Sequence, residues 1–100
     1  MQKQGFVYIM SCRHRTTLYI GVTSDLERRV AEHRTHALPG FTKDYNLEAL
    51  VYYEHFPEIA NAIEREKQLK KWSRSKKEAL IVRMNPDLRD LGLDLWTDSR

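Results

Sequence analysis

One cysteine, three prolines and four glycines in 100 residues leave little to staple or punctuate this chain. A lone Cys12 excludes an internal disulfide framework and a cysteine-rich zinc site, and a reducing compartment is its natural setting. Scarce glycine and proline beside 41% hydrophobic residues exclude collagen-like, low-complexity and disordered classes. Long apolar runs are missing too. The longest are Phe6 to Met10 and Ala49 to Tyr53, too short for a bilayer span or the core of a secretory signal. A chain of this length buries roughly 65% of its unfolded surface, enough for a core without staples. The expectation is one soluble cytoplasmic domain over residues 1–100, with its core near 5–86 and an acidic tail over 87–100.

Charge is present in both signs, 17 Lys and Arg against 14 Asp and Glu, for a net +3. Its distribution says more than its total. Arg65, Lys67, Lys70, Lys71, Arg74, Lys76 and Lys77 crowd one stretch with a single acid, Glu66. Such a run is the footprint of a phosphate-backbone binder. It is equally the solvated face of a helix whose lysine stems cover core residues.

Phe6 to Met10 and Leu18 to Val22 are β-branched and aromatic runs of strand length, with a polar loop over 11–17. Alternation puts Phe6, Tyr8 and Met10 on one face and Val7 and Ile9 on the other. Tyr19 shares a face with Gly21, while Leu18, Ile20 and Val22 face away. Ser24-x-x-Glu27 has the form of a capping box, which predicts a helix from about Asp25 to Arg34. A polar loop follows over 35–46, then a third strand over 47–56. Pro57-Glu58 opens a long helix to about Trp72. Ser75-x-x-Glu78, with Ser73 as the alternative cap, starts a further helix carrying Ala79 to Met84. One short turn is expected in the tail. The order ββαβα plus a C-terminal helix, built on a hairpin, makes an α+β fold with a largely antiparallel three-stranded sheet.

At ~100° per residue, charged groups fall on the apolar stripes of both long helices. Leu26 and Val30 define the buried face of the first helix; Arg29 and His33 project toward it and Arg28 points away. Ala62, Ile63 and Leu69 define that face of the second, with Glu66 between them and Glu64 outside. An unpaired carboxylate there would cost several kcal/mol. Either Arg29 and Glu66 neutralise each other as an ion pair, or they line a cleft with Tyr8, Tyr19 and His33 that meets a ligand or metal.

The ordered set Phe6-Val7-Tyr8, Tyr19-Ile20-Gly21, Asp25-Leu26-Glu27-Arg28-Arg29 and His33 resembles the GIY-YIG nuclease superfamily. Ala62-Ile63-Glu64-Arg65-Glu66-Lys67 is similar to that family's acidic helix. Leu69-Lys70-Lys71-Trp72-Ser73-Arg74 resembles its small stand-alone bacterial members. The resemblance covers about residues 5–86; Phe6 replaces the glycine of the first triplet, a position also variable among the small members. It implies a metal-dependent endonuclease that hydrolyses phosphodiester bonds in DNA, with RNA as a further possible substrate. Tyr8, Tyr19 and Arg29 match the catalytic positions, and Glu66 matches the single carboxylate that holds Mg²⁺ or Mn²⁺. Gly21, His33 and Asn85 match supporting positions. With no appended recognition domain, DNA structure or a protein partner is expected to choose the site, as in repair or processing; no membrane is involved. The alternative on the same scaffold is a nucleic-acid-binding module that does not cleave.

These residue types suit the chemistry. A divalent cation and a guanidinium stabilise the extra charge of a phosphodiester transition state. Mg²⁺ keeps several waters, so one carboxylate suffices. A tyrosine with a pKa near 10 is a poor base, and nearby cations are expected to lower it. His33 with His36, and Cys12 with His14, lack the further ligands of a zinc site. Trp72, Trp96, Tyr52 and Tyr53 read as packing residues.

Overall fold

In the computed structural model, which describes residues 3–37 and 46–96, three strands form one antiparallel sheet. The strands are β1 (Gly5–Ser11), β2 (Leu18–Thr23) and β3 (Ala49–Phe56), in the order β2-β1-β3. The helices are α1 (Leu26–Arg34), α2 (Ile59–Lys70), α3 (Arg74–Met84) and the short α4 (Leu91–Trp96). The α+β expectation and its element order hold. Most of the expected 35–46 loop lies outside the described residues. Among those described, no helix is long and apolar enough to cross a membrane.

Period-two alternation sorts the core into two layers. Val7, Ile9 and Ile20 pack with Ala62 and Leu69 of α2 and Ile81 of α3 on one face of the sheet. Tyr8 and Met10 pack with Leu26 and Val30 of α1 on the other. On β3 the alternation breaks: Ile9 pairs with Tyr52 but Met10 with Leu50, leaving Val51 as an extra residue. This bulge lets Val51 and Tyr52, neighbours in sequence, enter the same layer.

Two local expectations change and one alternative is resolved. The cap of α1 is Asp25, whose carboxylate accepts from the Arg28 amide at 3.2 Å, in place of Ser24. Of the two serines offered as caps of α3, Ser73 is the one used, accepting from the Lys76 amide, so that helix starts at Arg74 and carries Ala79 to Met84 as expected. The tail forms α4 rather than a single turn because Asp90 ties it down. One Asp90 oxygen accepts from Arg34 at 2.7 Å; the other accepts from the Leu50 and Gly92 amides. The Leu50 amide lies on the free edge of β3, and Asn85 bonds the Val51 carbonyl next to it at 3.2 Å, so side chains cover part of that edge.

Candidate active site

Strand register places the two motif tyrosines. Tyr8 lies opposite Gly21 on β2, and Tyr19 lies opposite Met10 on β1. Both rings face α1, with centroids 6.4 Å apart. His33, one helical turn from Val30, closes the group at 5.6 Å from Tyr8 and 5.5 Å from Tyr19, centroid to centroid. Its Nε2 lies 3.2 Å from the Tyr8 hydroxyl. Gly21 is required by this packing: a β-carbon there would meet the Tyr8 hydroxyl oxygen and stand 2.5 Å from Cζ. The motif glycine therefore accommodates the other motif's tyrosine ring.

Tyr8 and His33 are buried, and burial sets their protonation. Desolvation, with Tyr19 second, pushes the Tyr8 hydroxyl up to about 12, against the opposing pull of Arg29. Of the two tyrosines left open as the base, Tyr8 is not lowered by its neighbouring cation: Arg29 is there, but burial wins. Burial, then the Arg29 charge, pulls His33 down to about 4, so it is neutral at pH 7. Tyr8 and His33 share one hydrogen bond whose direction follows the imidazole tautomer, and among the described residues His33 Nδ1 is buried without a partner.

Arg29 projects toward the tyrosines, half-buried, and Arg28 is exposed, as the helical wheel requires. Burial disfavours the Arg29 charge, but contacts with Tyr8 and Glu32 outweigh it and hold the guanidinium above its ordinary value. Glu32 is the residue that the sequence reading missed. Its carboxylate takes Arg29 at 3.0 Å and Arg28 at 3.4 Å. The signal was available in the i,i+3 and i,i+4 spacings.

Glu66 arrives from the other side of the sheet. Ala62 and Leu69 are the buried residues of α2, while Ile63 is exposed and leaves the predicted stripe. At ~100° per residue, Arg65 and Glu66 fall on opposite flanks of the Ala62–Leu69 line. Arg65 is held on the β3 side by Glu54, with Nε and Nη2 each 3.0 Å from a carboxylate oxygen. Glu66 therefore flanks the free edge of β2. Its partner is Lys70 at 3.2 Å, and among the described residues no ion pair joins it to Arg29. Lys70 lines a groove of about 260 Å³ with Leu18, Tyr19, Ile20 and Lys77. Tyr19 is thus shared between the tyrosine cluster and the groove beside Glu66.

Other predicted positions separate. Asn85 is buried at the end of α3, where its amide donates to the Val51 and Arg89 carbonyls and its oxygen accepts from the Arg89 amide. Those bonds make it an anchor of the β3 edge rather than a site residue. In the basic run, Arg65 is committed to Glu54, and Arg74 donates to the Thr16 and Arg15 carbonyls of the hairpin loop. Lys76 sits 4.3 Å over the Trp72 ring. Lys67 and Lys71 are exposed. Among the described residues there is no group of three His, Cys, Asp or Glu side chains able to hold a metal.

A small antiparallel sheet presenting two tyrosines to an arginine- and histidine-bearing helix, with a glutamate-bearing helix behind, defines a nuclease-type α+β domain. A model of the GIY-YIG catalytic domain matches residues 4–79, and the chain belongs to the GIY-YIG family, a family of nucleases. It is similar to UPF0213 proteins. That of Natronomonas pharaonis is 40% identical over 82 residues, covering 82% of this chain and 95% of the relative. That of Staphylococcus saprophyticus is 36% identical, covering 76% and 92%. The solution NMR structure of a UPF0213 protein from Bacillus halodurans has a TM-score of 0.57 and 28% identity, covering 90% of this chain and 95% of that one.

Proposed function

We propose that this protein is a metal-dependent endonuclease that hydrolyses phosphodiester bonds in DNA, directed by DNA structure or by a protein partner, in repair or processing. The observation carrying the reading is the grouping of Tyr8, Tyr19, His33 and Arg29 on one sheet face, with Lys70, the ion-pair partner of Glu66, lining the groove beside Tyr19. Arg29 contacts the scissile phosphate, and Glu32 keeps its guanidinium from swinging into solvent. Tyr8 stays protonated in the free protein, because burial disfavours its phenolate. Tyr19, half-exposed at the groove, is the tyrosine that reaches solvent.

The donor set fits Mg²⁺ or Mn²⁺. Glu66 is a lone hard carboxylate, and a hydrated Mg²⁺ needs only one or two of these. Glu66 would hold the ion, which supplies charge stabilisation to the phosphate when bound. Lys67, Lys70, Lys71 and Lys77 supply the basic surface for the phosphate backbone. Labelled duplex, nicked, flapped, branched and single-stranded DNA, with matching RNA, incubated with Mg²⁺, Mn²⁺ or a chelator, test the reading. Cleavage in divalent cation alone is expected. Binding without cleavage would instead favour the non-cleaving module, and cleavage in chelator would remove the metal from the account.

A further inference from the structure

We propose that Lys70 is a placeholder cation: it neutralises Glu66 in the metal-free protein and, when a divalent ion takes the carboxylate, swings into the Tyr19 groove to bind a phosphate. The inference rests on the reading of Glu66 as the metal-holding carboxylate. Its geometry does not depend on that reading. The Glu66 side chain keeps only 16% of its surface exposed, whereas that of Lys70 keeps 53%. Covered on one flank of a buried stripe, the carboxylate requires a compensating charge, and Lys70 is its ion-pair partner at 3.2 Å. The exposed lysine head is free to move, because its flexible four-carbon stem carries a compact point charge.

The second half of the argument is where Lys70 can go. Its side chain lines the same groove as Tyr19 and Lys77, on the free edge of β2. Among the described residues Lys77 forms no ion pair, so one wall of the groove already carries an uncommitted positive charge. A divalent ion and an ammonium compete for one carboxylate, since each repels the other. Metal entry thus releases a second cation beside Lys77, and a phosphate there would find both. Metal and nucleic acid then strengthen each other's binding, and by linkage the coupling is the same in both directions. An ordinary i,i+4 helical pair would show none of this.

Mn²⁺ affinity measured by electron paramagnetic resonance, without nucleic acid, separates the possibilities in wild type, Lys70→Met, Lys70→Arg and Glu66→Gln. Lys70→Met should bind Mn²⁺ more tightly, from about twofold, the worth of an exposed i,i+4 pair, up to about tenfold for a carboxylate this covered. Lys70→Arg keeps the pair and should stay near wild type, and Glu66→Gln should lose the site. Adding Ca²⁺ should tighten DNA binding by the wild type more than by Lys70→Met. Unchanged or weaker Mn²⁺ binding in Lys70→Met, with Glu66→Gln still inactive in binding, overturns the placeholder and leaves the metal carboxylate standing. Equal Mn²⁺ binding by wild type and Glu66→Gln overturns both. If Lys70→Met does not fold, a Mg²⁺ titration of isotope-labelled wild type decides. The Lys70 Cε signal must move together with Glu66 Cδ, and a stationary Lys70 overturns the proposal.

Discussion

Replacing Gly21 by alanine should damage this site from within. Gly21 and Tyr8 face each other across β2 and β1. An alanine β-carbon would stand 2.5 Å from Tyr8 Cζ, where carbon atoms prefer about 3.5 Å or more, so the ring must retreat by roughly 1 Å. It has nowhere easy to go: Tyr8 is buried among Met10, Leu26, Val30, Leu47 and Leu50. Overpacking of this kind costs about 1–3 kcal/mol. Against it, alanine restricts the unfolded chain and returns roughly 0.4–1 kcal/mol. The expected net loss lies between about 0 and 2.6 kcal/mol, centred on about 1.3, read as a lower urea midpoint at unchanged slope. The 3.2 Å contact of Tyr8 with His33 should also break, and cleavage should fall with it. A double-mutant cycle isolates the cause. In a Tyr8→Ala background the ring is absent, so Gly21→Ala should become neutral or stabilising. Equal effects in both backgrounds would refute the steric argument.

Three further outcomes follow from the same geometry. The unfolded chain protonates His33 near pH 6.5 and the folded chain not until about 4; stability is therefore full above 6.5 and declines as pH falls toward 4. Denaturant melts at pH 7 and pH 5 should differ by about 2 kcal/mol from this residue alone, and His33→Gln should remove that component. Glu54→Ala removes the ion-pair partner of half-buried Arg65, which keeps its bond to Gln68, and should lower stability by about 1.5–3 kcal/mol in thermal melts. Neutralising Lys67, Lys71 and Lys77 should make the salt dependence of duplex binding shallower by about 0.9 per real phosphate contact, whereas neutralising Arg65 should leave it unchanged.

The parts of the fold that depend on short-range pattern were legible in the sequence. Strand alternation sorted Tyr8 from Val7, and the helical wheel sorted Arg29 from Arg28, as the structure has them. What escaped depends on long-range pairing. No local pattern announces that Val51 bulges, or that Asp90 reaches Arg34 and the Leu50 amide to build α4. The wheel put Glu66 toward the sheet without naming its neighbour. Arg65 turning to Glu54 on β3 is what assigns Glu66 to the β2 side, and Arg29 goes to Glu32, a residue of its own helix. Asn85 misled because a polar residue at a helix end is equally suited to bonding strand carbonyls.

Single-turnover cleavage in Mg²⁺, comparing Arg29→Ala with Arg28→Ala and Glu66→Gln with Glu64→Gln, tests the central claim most directly. Each pair differs by one or two positions on a helix and by which side of it carries the charge. The account predicts losses of about 10²-fold or more for Arg29→Ala and Glu66→Gln, the scale of removing one transition-state contact. Arg28→Ala and Glu64→Gln should stay near the wild-type rate. Folded Glu66→Gln that still cleaves, or an Arg28→Ala that fails while Arg29→Ala cleaves, would contradict it.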